Sequence, residues 1–215
     1  MTIQEEISTD IDWRNGEMAE LRVILHKARL TPTQRDTYIR YIVPAIYALW
    51  EGFIKNSIRL YSKEINKSNV PLTSLHENLL THAITSDLKL SLDKERIQFD
   101  KQKDFSLYIC EYIGKPFPTT NRLQTKSNVN YDVLSDILNR FNLGMIVDKK
   151  VEQKLNKLLL FRNTIAHGDN SIPVKEEHIN EFVQLIQDLM LEIYNKIDFA
   201  INNKTYLRTN VYTCE

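Results

Sequence analysis

The sequence predicts an all-α protein, a bundle of helices. Three observations carry that expectation. Apolar residues recur at steps of three and four along most of the 215 residues, the spacing that gathers them on one face of a helix. Glycine and proline number only five and six, too few for a turn-rich all-β chain. Helix-starting and helix-stopping residues stand where the periodic runs begin and end.

A first helix is expected over 13–29, with Asp12 as its N-cap and Trp13, Met18, Leu21, Val23, Ile24, Leu25 and Ala28 at mostly helical spacing. Thr31-Pro32 reads as a cap followed by proline at the first helical position, and a long helix follows over about 32–66. Its apolar stripe is Tyr38, Ile39, Ile42, Val43, Ile46, Leu49, Trp50, Phe53, Ile54, Ile58 and Tyr61, which makes Trp50 a core residue. Pro44 lies inside that helix and should kink it, because proline removes a backbone hydrogen bond and crowds the preceding turn. Asn66 to Thr73 is a polar connection containing Pro71, and 74–91 reads as a third helix.

Between 93 and 113 a charged half, Asp93 to Asp104, precedes an apolar half that fits either helix or strand. The charged half reads as a solvated helix face; the alternative is an RNA or partner surface. The stretch 114–130, with Pro116 and Pro118, is the most loop-like in the chain. Asn130 then caps a short helix over 131–142 that carries Leu134, Ile137, Leu138 and Phe141, with Gly144 just beyond its end. Another helix spans 149–167 with Val151, Leu155, Leu158, Leu159 and Ile165. The last spans 175–203 with Ile179, Phe182, Val183, Leu185, Ile186, Leu189, Ile193, Ile197 and Ala200. The polar tail, 204–215, is expected to be extended. One domain over 1–215 is expected, with a core at about 30–203, because a helix bundle needs both sides of the 114–130 loop to close its core.

Lys and Arg total 28 and so do Asp and Glu, for a formal net charge of zero. A general nucleic-acid coat is therefore not expected, and any such contact must come from a local patch. Cys110 and Cys214 lie far apart and suit a reduced, cytoplasmic protein. Met1 to Asp12 is polar and acidic, without the apolar stretch of a signal peptide, and no run approaches the roughly 18 apolar residues of a membrane span. His26, His76, His82 and His178 lack zinc-ligand spacing and read as surface or satisfied histidines. Phosphate-loop, dinucleotide-binding and serine-hydrolase signatures are absent, so neither a metal nor a cofactor is expected.

The chemistry concentrates at Arg162-Asn163-Thr164-Ile165-Ala166-His167-Gly168. Arginine is a permanent, bidentate cation suited to a crowded phosphate, and histidine moves protons near neutral pH. Gly168 should end the helix, which leaves His167 in the last turn beside the negative end of the helix dipole. Asn163, four residues earlier, shares its face and is placed to fix the imidazole's tautomer. Arg162 and His167 are five apart, roughly 140° around the axis, so a single helix does not aim both at one atom. A groove between two such helices does, which argues for a dimeric site. Glu51 and Lys55 form an i,i+4 pair, ordinarily a solvated face; the alternative places Glu51 at the cleft.

This segment, with its Arg-x4-His spacing, resembles the signature of the HEPN superfamily of small all-α proteins that act mainly on RNA. Trp50-Glu-Gly-Phe-Ile-Lys55, Ser127-Asn-Val129 and Leu158 to Gly168 together resemble the RiboL-PSP-HEPN and MAE-type HEPN families of prokaryotic toxin–antitoxin and defence loci. The resemblance implies an antiparallel HEPN bundle with extra helices and metal-independent endoribonuclease action at a homodimer interface. Arg162 would contact the scissile phosphate, His167 would transfer the proton and Asn163 would orient them. The RNA 2′-hydroxyl would attack the adjacent phosphate and leave a 2′,3′-cyclic phosphate. A basic cleft is expected around Arg162 with lysines such as Lys154 or Lys157. RNA as substrate, a second copy of the chain and a cognate antitoxin or regulatory protein are the expected partners. The alternative is a non-catalytic HEPN module that binds RNA, nucleotide or a protein partner.

Overall fold

The structure, a computed structural model, describes residues 1–87 and 128–209 together with positions 107, 109–111, 113 and 117. Among the described residues every regular element is a helix: α1 (Ile3–Lys27), α2 (Pro32–Lys67), a 3-10 turn (Leu72–Ser74), α3 (Glu77–Asp87), α4 (Tyr131–Arg140), α5 (Lys149–Ala166) and α6 (Glu176–Asn202).

The side-chain contacts give the direction of each long helix. Arg14 Nη1 donates to Leu49 O (2.6 Å), Tyr38 Oη to Leu21 O (3.2 Å) and Arg35 Nη1 to Leu25 O (2.9 Å), so α1 and α2 run antiparallel. Gln4 meets Asp198 (3.0 Å) and Gln187 meets Asn15 (3.2 Å), which sets α6 antiparallel to α1. Lys157 pairs with Glu181 (2.7 Å) while Phe161 meets His178 (ring centroids 4.9 Å apart), so α5 and α6 are antiparallel as well. The four long helices thus form an antiparallel bundle. The core between them includes Trp50, Tyr47, Phe53, Ile46, Leu158, Phe182 and Ile186.

α1 begins at Ile3, well before the expected start near 13, and Thr2 rather than Asp12 is its N-cap. The Thr2 hydroxyl accepts from Glu5 N (3.2 Å) and the Glu5 carboxylate accepts from Thr2 N (2.8 Å), a reciprocal capping box. The inward seam is Ile3, Ile7, Arg14, Met18 and Leu25, whereas Trp13, Val23 and Ile24 face outward. Packed helix therefore extends ahead of the expected core at 30–203. Arg14 occupies an apolar position because its charge is answered in place: Asp10 accepts twice (3.0 and 3.1 Å), and the guanidinium lies over Trp13 and Phe53.

α2 buries the predicted stripe except Tyr38 and Leu49, which are half-buried, and runs through Pro44 without ending. It packs against α1, α5 and α6. The two extra helices, α3 and α4, pack on each other at its C-terminal end, where Tyr61 meets Phe141. Helix α4 stops at Arg140, and the left-handed residue closing it is Asn142 (φ 51°), not Gly144. Asn142 N bonds Asn139 O (3.1 Å) and Leu143 N bonds Leu138 O (2.9 Å), which satisfies the last carbonyls. Asn is among the few residues that visit this conformation, and here its Nδ2 also ties the turn to the distant Thr205 O (2.8 Å).

The tail starts as a turn at 204–206, with Lys204 left-handed (φ 53°), and not as the extended segment expected. Leu207 bridges Leu75, and Arg208 N bonds Ser74 O (2.8 Å), over a buried Tyr206. Positions 107, 109–111 and 113 are helical. The expected end of the third helix at 88–91, the charged half at 93–104 and Cys214 lie outside the described residues. His82 departs from its expectation as a surface or satisfied histidine. It is 8% exposed, neither ring nitrogen has a partner, and it packs on Phe141 at 4.6 Å. No helix among the described residues is long and apolar enough to cross a membrane.

Candidate functional site

The C-terminal half of α5 carries the arginine–histidine segment, and α2 supplies its support. The Arg162 guanidinium lies over the ring of Tyr47, 4.9 Å from the centroid, and Nη1 donates to Asn163 Oδ1 (2.7 Å). A ring face is electronegative and guanidinium is planar and weakly hydrated, so the two stack. Tyr47 is itself 1% exposed, and its hydroxyl accepts from Val129 N (2.5 Å). Burial pushes the Tyr47 hydroxyl up to about 12; the nearby Glu51 carboxylate adds to this, and the Val129 hydrogen bond and Arg162 oppose it. The phenol is thus neutral throughout the physiological range.

His167 is the C-cap of α5, with its N–H on Asn163 O (3.0 Å) and its side chain exposed. Gly168 follows at φ 75°, where a Cβ would be strained, and the closing bonds are Gly168 N to Ile165 O (3.0 Å) and Asp169 N to Thr164 O (3.0 Å). The loop after the cap is fastened to α2. Arg40 donates to Asn170 Oδ1 and Asp169 O, and Arg35 pairs with Glu176 at the start of α6. Asp169 in turn accepts from Ser171 N (2.8 Å) and Ser171 Oγ (2.9 Å), which holds its carboxyl below the usual range. Two anchor points, Tyr47 under Arg162 and Arg40 at 169–170, set α2 and α5 antiparallel.

The Asn163 amide meets one of its two expected partners. Its oxygen serves Arg162 rather than the His167 ring, which has no hydrogen-bond partner among the described residues. A charged donor outcompetes a neutral imidazole for one acceptor. Glu51 is more covered than a solvated face would be, 13% exposed at the side chain; it pairs with Lys55 (2.5 Å) and acts on Tyr47. It therefore sits on the side of α2 that carries Tyr47. Lys154 and Lys157 lie apart from Arg162. With Lys150, Gln153 and Glu181 they line a shallow recess of about 270 Å³, and the Lys157 ammonium is held by Glu181. That recess faces α6, whereas Arg162 faces α2.

Sequence reasoning missed Tyr47 and Arg40. Tyr47 extends the stripe Val43–Tyr47–Trp50–Ile54 in steps of four, three and four, so its burial was readable. That it carries a cation on its face depends on where α5 packs. Within one chain, Arg162 and His167 are separated by roughly 7.5 Å of helix rise and point differently around the axis. The arrangement offers a rigidly held cation and, one and a half turns on, an exposed imidazole. Among the described residues no group of three or more His, Cys, Asp or Glu side chains is placed to hold a metal ion.

Comparison with curated proteins and with solved structures finds no match. Comparison with protein families finds one whose model covers residues 3–206, from the first residue of α1 to the buried tyrosine of the tail. The match agrees with the all-α bundle, and the chain belongs to the HEPN_MAE_28990-like HEPN family.

Proposed function

We propose that the protein is a metal-independent endoribonuclease that works as a homodimer and serves as a toxin or defence effector. The observation that carries this reading is the guanidinium of Arg162, held between the Tyr47 ring and the Asn163 amide on a helix that ends at an exposed histidine. In the proposed reaction His167 takes the proton of an RNA 2′-hydroxyl. The freed oxygen attacks the adjacent phosphorus, and Arg162 stabilises the charge that crowds onto the phosphate oxygens. The bond to the 5′-oxygen breaks, that oxygen is protonated, and the products are a 2′,3′-cyclic phosphate and a 5′-hydroxyl. A second copy of the chain brings a second arginine–histidine pair to the groove, which supplies the convergence that one helix lacks. In this reading the whole chain acts as one domain in the cytoplasm, and a cognate antitoxin or regulatory protein restrains it.

The test is cleavage of RNA by the purified protein in EDTA, beside Arg162→Ala and His167→Ala, with the product ends identified. Cleavage that leaves cyclic phosphate and disappears in both variants supports the proposal. A folded dimer that binds several RNAs without cutting any, and equally well as His167→Ala, refutes it in favour of a binding module.

A further inference from the structure

Arginine in a catalytic groove has a problem of geometry. Its side chain is long, and a phosphate is matched only by one orientation of the guanidinium plane. Here that plane is set before any ligand arrives. Tyr47 lies beneath it at 4.9 Å, and one N–H is taken by Asn163. The remaining N–H donors have no acceptor among the described residues, which leaves an edge open to a phosphate.

The ring of Tyr47 is in turn fixed at its far end. Its hydroxyl accepts from Val129 N (2.5 Å), and Trp50, nearly one turn on along α2, donates from Nε1 to Val129 O (3.2 Å). Both polar backbone groups of Val129 are thus held by α2, and the Val129 side chain is fully buried. The residue that precedes the Asn130 cap of α4 is therefore tied to the platform under Arg162. A tyrosine present only to fill the core would also need a partner for its buried hydroxyl, but it would not need a cation on its face.

We propose that Tyr47 is the positioning residue for Arg162, with its ring as the platform that orients the guanidinium and the Val129 peptide as the stop that keeps the ring in place. The inference rests on the reading of Arg162 as the cation that meets the phosphate. Tyr47 touches no substrate in this scheme. It acts only through the arginine.

The experiment compares wild type, Tyr47→Phe and Tyr47→Leu by three readouts: thermal melting, the Arg162 Nε–Hε resonance assigned with Arg162→Lys, and steady-state RNA cleavage. Tyr47→Phe keeps the platform and loses the stop. It should melt earlier, yet retain the ring-shifted arginine signal and a kcat within about threefold of wild type. Tyr47→Leu keeps an apolar core and loses the platform. Its arginine signal should move to the position of a free side chain, and kcat should fall about tenfold with KM within about twofold, because the oriented charge matters most in the transition state.

An unchanged signal and kcat in Tyr47→Leu overturns the proposal, as does a loss in Tyr47→Phe equal to that in Tyr47→Leu. If neither variant folds, the wild type still decides. An Arg162 Nε–Hε resonance at the position of that of exposed Arg29 overturns the proposal, and one displaced by the Tyr47 ring upholds it. If wild type cuts no RNA, the nuclease reading fails while the resonance comparison still tests the platform.

Discussion

Replacing glycine by alanine inside a helix usually stabilises a protein by about 1 kcal/mol, because glycine loses more backbone freedom on folding. Gly52, in the middle of α2, should do the reverse. A Cβ built there would lie 2.9 Å from Arg14 Nη1 and 3.4 Å from Nη2, too close to be accommodated without movement. The guanidinium has nowhere cheap to go. It is 8% exposed at the side chain, donates to Leu49 O at 2.6 Å and is held twice by Asp10. Moving it weakens the Leu49 bond, a hydrogen bond from a charged donor worth roughly 1.5–3 kcal/mol. Set against the helix-propensity gain, the net for Gly52→Ala is a loss of about 0.5–2 kcal/mol, and Tm should drop by about 1–8 °C for a chain of this size. Urea melts of wild type, Gly52→Ala, Arg14→Met and the double variant decide the matter. Once Arg14 is methionine the obstacle is gone, so Gly52→Ala should then be neutral or stabilising by up to about 1 kcal/mol. A Gly52→Ala protein that melts later than wild type would refute the claim that Arg14 sets the size of residue 52.

His82 gives α3 a pH dependence of definite sign. Burial lowers its imidazole to about 4, with Arg140 lowering it further and Asp136 opposing. Below an unfolded value near 6.5 the unfolded chain takes up a proton that the folded chain refuses, so stability is complete above about pH 6.5 and falls between there and about pH 4, by on the order of 2–3 kcal/mol. Denaturation midpoints at pH 7.5 and 5 should differ less in His82→Leu than in wild type, and an equal difference in both would show that His82 is not the source. Lys157 tests the course of the RNA. Because its ammonium pairs with Glu181 and faces α6, Lys157→Met should change RNA affinity by about twofold or less, whereas Arg162→Met should change it more. A large loss with a reduced salt slope in Lys157→Met would put the RNA path in the recess between α5 and α6.

The fold was readable where one rule dominated. In α2 the Thr31-Pro32 start and an unbroken apolar stripe agree, and helix and core followed as expected. In α1 the rules disagreed. The true seam passes through Arg14, a residue that periodicity counts as polar, while the outward Trp13, Val23 and Ile24 drew the apolar pattern to the wrong face. The capping box at Thr2 and Glu5 was in the sequence, but only a packed α1 gives it something to start. Asn142 and Gly144 both have positive φ, and only the hydrogen bonds of the α4 terminus show which one closes the helix.

The candidate site divides in the same way. Its candidate residues are close in sequence and therefore legible: Arg162, Asn163 and His167 lie within six positions on one helix and its cap. What orients them comes from a helix more than a hundred residues earlier, and no spacing rule reaches that far. Arg40 and Tyr47 stand seven apart on α2, which spans roughly 10 Å along its axis. Arg162 and Asp169 stand seven apart on α5 and the loop that follows it, and the two pairs meet in opposite order. The same long helix therefore fixes the cation and the loop that ends the histidine's turn. A change in the tilt of α2 would move both together. The aromatic at 47, with its arginine seven residues earlier, accordingly belongs to the site as much as the short motif that first reveals it.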